Sequence, residues 1–495
     1  MGSDPARAPR TKLLVAGAGW TYLIFVSNRA VTFLSTVVLA RLLVPGDFGL
    51  MAVAVLVLKY LDAVNDAGMG PALVRETENL DMATKVAFTI SAALGGLLAI
   101  LLVLASPALA SYFNDSRLTP VLMFLAPILV FASMNSVQSY WQQRQLKFRS
   151  RLIPESLRSL FKAAFSMSFA VAGFGVWSLA IGQLAGQIAA VLGYLKVSEL
   201  QIRFAYDRAM ALRLLSYGIP LSVVTLTGVA AKSIDQVITG KLLSTADLGY
   251  YVIGASIPEL VVMSLCTTAS QVLYPAFSWA REKPRLLRYS YLASIRLLTF
   301  LTFPVAAGIA LVAHDFVTIA YSERWLPSVP VMQFLAINAL VISVSFNAGD
   351  ILKAVGRPNT LTLFSVASLI ISVPLMFAMS GYGTAGIAAA QVAVSLIVAA
   401  STLALVLRFL GIPAVRFMKA LVPAAIGTLL MVAACQIPLY FMAANSPVMR
   451  LAAVVLFGMS AYFVAAIVLN RKMARSFLRK RKARRQTSRQ EVLDD

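Results

Sequence analysis

Apolar runs of about 20 residues, the length that carries a helix across a bilayer, recur along the whole chain. Fourteen such runs are found, at 13–40, 48–74, 83–110, 118–142, 153–174, 176–197, 214–242, 249–277, 289–313, 329–353, 359–380, 384–408, 416–440 and 448–470. The connections between them are short and polar, and none is long enough to fold as a separate domain. The pattern predicts an all-α, polytopic membrane protein with about 14 transmembrane helices. The first run could be mistaken for a secretion signal, since Arg7, Arg10 and Lys12 precede it. It continues through Val38 to Leu43, longer than a signal's apolar core, and shows no clear small-residue cleavage site.

Composition agrees with that reading. Of the 495 residues, 59% are hydrophobic and 13% charged, and the mean hydropathy is +0.80. A soluble domain has about twice that share of charge, so soluble, disordered, collagen-like and disulfide-scaffold classes are excluded. Cys266 and Cys435 both lie in apolar runs and read as small packing residues, without disulfide or metal spacing. With one histidine, His314, a histidine-based metal or catalytic centre is not expected.

The net charge of +22 changes the picture in one respect, orientation. No folded polar domain exists to carry a nucleic-acid site, so the excess is read as the positive charge that collects in cytoplasmic loops. With the N-terminus inside and the helices alternating, 34 of the 43 Lys and Arg residues fall on the cytoplasmic side and 5 on the other, with 4 within spans. Arg158 and Lys162 are counted here in a basic cytoplasmic loop around 144–162. Both termini are then cytoplasmic. The densest basic run, Arg471 to Arg489, forms a tail over 471–495 that either lies against anionic lipid headgroups or serves only as a solvated anchor.

The chain also repeats itself. Arg41-Leu42-Leu43 with Asp47-Phe48-Gly49 recurs as Lys241-Leu242-Leu243 with Asp247-Leu248-Gly249, at an offset of 200. Gly173-Phe174-Gly175 through Gln183 recurs as Gly381-Tyr382-Gly383 through Gln391, at an offset of 208. One copy per six helices means that both copies enter the membrane from the same side, which makes them parallel repeats. The expected organisation is two pseudo-symmetric six-helix lobes, 1–205 and 206–410, enclosing a cavity, followed by two extra helices over 411–470. The Gly-x-Gly pairs read as tight turns, and Asp47 and Asp247 as caps of the helices that follow.

Ionisable residues inside spans cost about 2.5–3.5 kcal/mol or more at mid-depth and should face a partner or a wet cavity. They are Arg29, Lys59, Asp62, Asp66, Lys232, Asp235, Glu259 and Arg296, with Asp350 near an inner helix end. Lys59, Asp62 and Asp66 share one helical face by their i, i+3, i+7 spacing. At an offset of 200, Lys59 and Glu259 occupy equivalent places with opposite charge. Two readings stand for Lys59 with Asp62, and for Lys232 with Asp235: mutual neutralisation within a helix, or exposure to the cavity. Arg29 and Arg296 lack an acidic residue at i±3 or i±4, which suits them to an external anion, although Arg296 could also snorkel to the cytoplasmic surface. Asp350 and Lys353 read as an interfacial pair.

Several stretches carry a resemblance: Leu39-Ala40-Arg41-Leu42-Leu43-Val44-Pro45-Gly46-Asp47-Phe48-Gly49, Asp66-Ala67-Gly68-Met69-Gly70, Gln142-Gln143-Arg144-Gln145-Leu146-Lys147-Phe148, Tyr274-Pro275-Ala276-Phe277-Ser278, and the loop with Trp325. Over most of its length the chain resembles the Wzx-type oligosaccharide flippases, the polysaccharide-transport branch of the multidrug/oligosaccharidyl-lipid/polysaccharide (MOP) exporter superfamily. The resemblance implies alternating access and a lipid-linked oligosaccharide substrate, undecaprenyl-pyrophosphate-linked repeat units moved across the bacterial inner membrane. Products would be exopolysaccharide, capsule or O-antigen, and partners would include a polysaccharide polymerase and export proteins. Buried cations suit a pyrophosphate, which nominates Arg29, Lys59, Lys232 and Arg296 for substrate. Asp62, Asp66, Asp235 and Glu259 are nominated to couple a proton or sodium gradient. No cofactor is expected and no enzymatic activity.

Two rivals are a multidrug exporter of the same superfamily, which would favour an acidic and aromatic cavity, and a membrane glycosyltransferase or polymerase. The latter needs a sizeable outer loop; the one with His314, Asp315, Glu323 and Arg324 is short.

Overall fold

A computed structural model of the chain describes residues 27–76, 79–145, 148–197, 203–357, 359–442 and 446–469. All regular structure among them is helical. Helices cover each expected span from the second to the fourteenth, and the first is described from residue 27 onward. Ten of the helical stretches are long and apolar enough to cross a membrane. The expected basic tail lies outside the described residues.

The chain divides into two compact units. The first holds residues up to Val252 together with Ser365–Ala390. Its helices are α1 (27–42), α2 (Pro45–Asn65), α3 (Met69–Arg75), α4 (Leu80–Tyr112), α5 (Leu118–Leu125), α6 (Pro127–Arg144), α7 (Phe148–Val171), α8 (Val176–Val197), α9 (Arg208–Leu242) and the start of α10 (Thr245–Pro258). Leu50, Val53, Leu118, Leu122 and Leu125 centre its main apolar core.

Local chemistry sets the breaks. The Asp66-Ala67-Gly68 stretch ends α2, with positive φ at Ala67 (43°) and Gly68 (64°). A Cβ at Gly68 would collide with the Gly218 backbone of α9, so glycine serves both the turn and the contact. Gly173 and Gly175, at φ 83° and 55°, make the short reversal between α7 and α8. In the second copy of that turn only Gly383 has positive φ, at 66°, and Ser380–Tyr382 form a 3-10 turn.

The expected caps are corrected. Asp247 does not cap α10 itself; Ser244 does. The Asp247 amide donates to Ser244 Oγ (3.1 Å), and Asp247 Oδ2 accepts from Ser244 N (3.1 Å) and Oγ (2.6 Å), a reciprocal capping box. The equivalent first-copy position is Val44, which has no oxygen to offer; there Pro45 opens α2 and Asp47 sits in its first turn, favourable to the helix dipole.

The second unit holds Ile253–Phe364 and the chain from Gln391. It contains the end of α10, a π-helical stretch at Glu259–Met263, α11 (Ser264–Ala280), α12 (Pro284–Ala320), α13 (Ser328–Ala354), most of α15 (Gly383–Leu410), α16 (Ala414–Phe441) and α17 (Pro447–Leu469). Between α13 and α15 lies α14 (Asn359–Met379), most of which joins the first unit. Helix α12 packs on α13, α16 and α17. Asp315 of α12, 4% exposed, is paired with Arg450 of α17 and lies 3.5 Å from His314. Asp315, at the end of α12, is thus committed to an ion pair. Lys353 and Asp350 form the expected pair, at 3.4 Å. Cys266 and Cys435 are buried and unbridged, as their apolar surroundings suggested.

Candidate functional site: a charged chamber in the first unit

Two neighbouring cavities share Arg158, Gln183 and Gln187 in their walls. The larger, about 840 Å³, lies among α2, α6, α7, α8 and α9 and is lined by Lys59, Asp62, Asp66, Glu155 and Arg158 together with serine, asparagine and glutamine side chains. The smaller, about 180 Å³, lies among α1, α7 and α8 and is lined by Thr32, Ser35, Arg158, Ser159, Lys162 and the two glutamines. No carboxylate lines the smaller one among the described residues.

Sequence places these groups through helical periodicity. On α2, Lys59, Asp62 and Asp66 point from one face, as the spacing predicted. On α7, Glu155, Arg158 and Lys162 follow at i, i+3 and i+7. Helix α8 reaches this face closely because its contact positions are glycines. A Cβ at Gly186 would lie 2.7 Å from the Arg158 carbonyl oxygen and 3.0 Å from the Lys162 Cβ, and a Cβ at Gly182 would lie 2.7 Å from the Lys162 carbonyl. Small residues at such spacing let membrane helices approach backbone to backbone.

The charges are unevenly satisfied. Arg158 lies 3.4 Å from Glu155, which also accepts from the Tyr194 hydroxyl at 3.2 Å, and the Arg158 Nε is buried without a partner. Asp66 accepts from Ser136 Oγ at 2.7 Å. Lys59, Asp62 and Lys162 make no side-chain hydrogen bond or ion pair among the described residues. Helical neutralisation of Lys59 by Asp62 is therefore not formed. Lys162 is within electrostatic reach of both Arg158 and Lys59, and Asp62 within reach of Arg158. In the smaller cavity Arg158 and Lys162 meet in a wall that holds no carboxylate among the described residues, a place that favours an added anion.

Of the eight nominated residues, three line the chamber: Lys59, Asp62 and Asp66. Arg29, on α1 and exposed, is not among the lining residues and has an interaction of its own. Lys232 is exposed on α9 and makes no ion pair with Asp235, which instead accepts from the Tyr251 hydroxyl at 2.8 Å. Glu259 and Arg296 belong to the second unit. Glu259 is exposed and opens the π-helical stretch; Arg296, part-exposed on α12, has an interaction of its own.

Sequence reading missed Arg158 and Lys162, which were counted among the residues of a basic cytoplasmic loop. The expected span 153–174 already contained both, and α7 begins still earlier, at Phe148, and brings both cations to the cavity walls. The signal was available: Glu155, Arg158 and Lys162 keep helical spacing, whereas loop charges have no reason to.

The comparisons with known proteins follow this geometry. The chain is 22% identical over 373 residues to the lipopolysaccharide biosynthesis protein WzxC of Escherichia coli (strain K12), spanning 73% of this chain and 74% of the relative. It is 24% identical over 352 residues to the succinoglycan biosynthesis transport protein ExoT of Rhizobium meliloti (strain 1021), spanning 70% of each. Its fold is similar to a solved structure of the lipid II flippase MurJ in an inward closed conformation, with a TM-score of 0.78 and 13% identity over 92% of this chain and 99% of that one. Residues 38–330 match the family model described as polysaccharide biosynthesis protein. That match covers more than half of the chain, and the protein, a multi-pass membrane protein of MurJ-like fold, belongs to the polysaccharide biosynthesis protein family.

Proposed function

We propose that the protein is a flippase, not an enzyme, that carries an oligosaccharide linked to a polyprenyl diphosphate from the cytoplasmic to the outer leaflet of the bacterial inner membrane. The single observation that carries this reading is the convergence of Lys59, Arg158 and Lys162 on a polar chamber inside a membrane-helix unit. A diphosphate cannot cross hydrocarbon unaided, and cations lining a chamber among the helices offset its charge. A cationic drug would meet repulsion at the smaller cavity, between Arg158 and Lys162. The names of the relatives, with their biosynthesis and transport of polysaccharide, support the substrate class.

In this reading Lys59, Arg158 and Lys162 hold the diphosphate, and Arg29, Lys232 and Arg296 meet it at other stages of an alternating-access cycle between lobes at 1–205 and 206–410. Asp62, Asp66, Asp235 and Glu259 couple transport to a proton or sodium gradient. Both termini are cytoplasmic, and the 471–495 tail lies on anionic lipid. A polymerase and export proteins receive the product. The test is export of lipid-linked sugar in cells lacking the native gene. The double variant Arg158→Gln/Lys162→Gln is expected to cut export by about tenfold or more at normal protein level, the size of effect seen for lost charge-assisted contacts. Unchanged export in that variant would refute the assignment.

A further inference from the structure

Beside the cations stands a wall of different chemistry. On α6, Asn135, Ser136, Ser139 and Tyr140 line the larger cavity, and Asp62 and Asp66 of α2 line it with them. Asn135 is 4% exposed, yet neither its amide nitrogen nor its carbonyl oxygen has a partner. A buried amide left open at both ends is costly, and it is satisfied by a group that both donates and accepts. Asp62 adds a carboxylate that accepts no side-chain hydrogen bond among the described residues. Hydroxyl-rich molecules supply all of these: donors for Asp62, donors and acceptors for Asn135 and the serines. Tyr140 adds a ring whose place is fixed by Gly70, where a Cβ would overlap it.

We propose that this wall recognises the sugar next to the diphosphate, and that Asp62 makes it select neutral or amino sugars over sugars bearing a carboxylate. The inference rests on the flippase reading. Its basis is a charge tally. Arg158 is partly matched by Glu155. A diphosphate diester brings two negative charges, which take up Lys59 and Lys162. What then remains beside the sugar is Asp62, unmatched, and Asp66, held by Ser136. A sugar carboxylate at that place sets like charge beside the Asp62 carboxylate, which disfavours binding. A hydroxyl or an ammonium group meets no such penalty.

The test uses the purified full-length protein in nanodiscs and three short-chain probes: a prenyl diphosphate, a prenyl diphosphate carrying N-acetylglucosamine, and one carrying glucuronic acid. Wild type is expected to bind the neutral-sugar probe about tenfold or more tighter than the uronic acid probe. Asp62→Asn brings the two within about threefold of each other, and binds bare prenyl diphosphate at least as tightly as wild type, since a negative charge has left the diphosphate's surroundings. Asn135→Leu, a variant of similar size, weakens the neutral-sugar probe alone. Equal wild-type affinities for the two sugars, or a ratio that Asp62→Asn does not move, overturn the proposal while bare diphosphate binding leaves the flippase reading standing. Failure of wild type to bind any of the three probes overturns both.

Discussion

Gly49 and Gly249, 200 residues apart, pack backbone to backbone in a reciprocal contact. A Cβ at Gly49 would overlap the Thr245 carbonyl, and a Cβ at Gly249 would overlap the Pro45 carbonyl. Pro45 and Thr245 are themselves 200 residues apart, so each glycine meets the counterpart of the other's partner. That is the geometry of a two-fold axis, and it ties the sequence repeat to a contact in space. Gly49→Ala and Gly249→Ala should each destabilise the fold by about 1–3 kcal/mol, as overpacking against backbone does. Thermal unfolding in detergent measures this, and a cysteine at Thr245 should become more reactive to a thiol reagent in either variant.

Gly186 sets the distance between α8 and the helix that carries Arg158 and Lys162. Gly186→Val pushes the two helices apart without altering any charge. Lipid-linked sugar export should fall by about tenfold, comparable to a misplaced binding group, with folding retained as judged by gel filtration. Normal export in a folded Gly186→Val protein would detach the cations from function.

Asp115, in the connection between α4 and α5, accepts two side-chain bonds from Arg117, at 3.0 and 2.7 Å, and one from Thr245 at 3.2 Å. The Arg117 guanidinium holds its carboxyl below the usual carboxylate range. A depressed carboxylate contributes stability above its unfolded value, and that contribution is lost as pH falls through the folded value. The melting temperature should therefore drop more in wild type than in Asp115→Asn when the pH is lowered from about 5 to about 3. Equal drops would assign acid sensitivity elsewhere.

Ser244→Ala removes one side of the capping box at the start of α10. The loss should be about 1 kcal/mol, read as a shift in the denaturation midpoint. Val44→Ser in the first copy offers the missing oxygen to α2 and should move the midpoint the other way if Asp47 can reciprocate.

How much of this was legible in the chain follows from what sequence period reports. Span positions came through because apolar length is a direct demand of the bilayer, and α4, α8 and α12 sit where the runs lie. The shared face of Lys59, Asp62 and Asp66 came through because helical spacing fixes direction. What period cannot report is which neighbour stands opposite. Lys232 has the same i, i+3 relation to Asp235 as Lys59 has to Asp62, yet Asp235 is bonded to Tyr251 from α10. Arg158 and Lys162 were hidden for a different reason: both lie within the expected span 153–174, but they continue the basic run from Arg144 and were counted with the loop before it.

The Asp315–Arg450 pair joins α12 to the last described helix. A shortened protein ending after α15 would strand the Asp315 carboxylate, 4% exposed, with its guanidinium deleted. Truncation would thus cost more than lost packing unless residue 315 were neutralised in the same step. Helix α17 is in this sense electrically tied to α12, and any version that lacks it must be edited at 315 before it is cut.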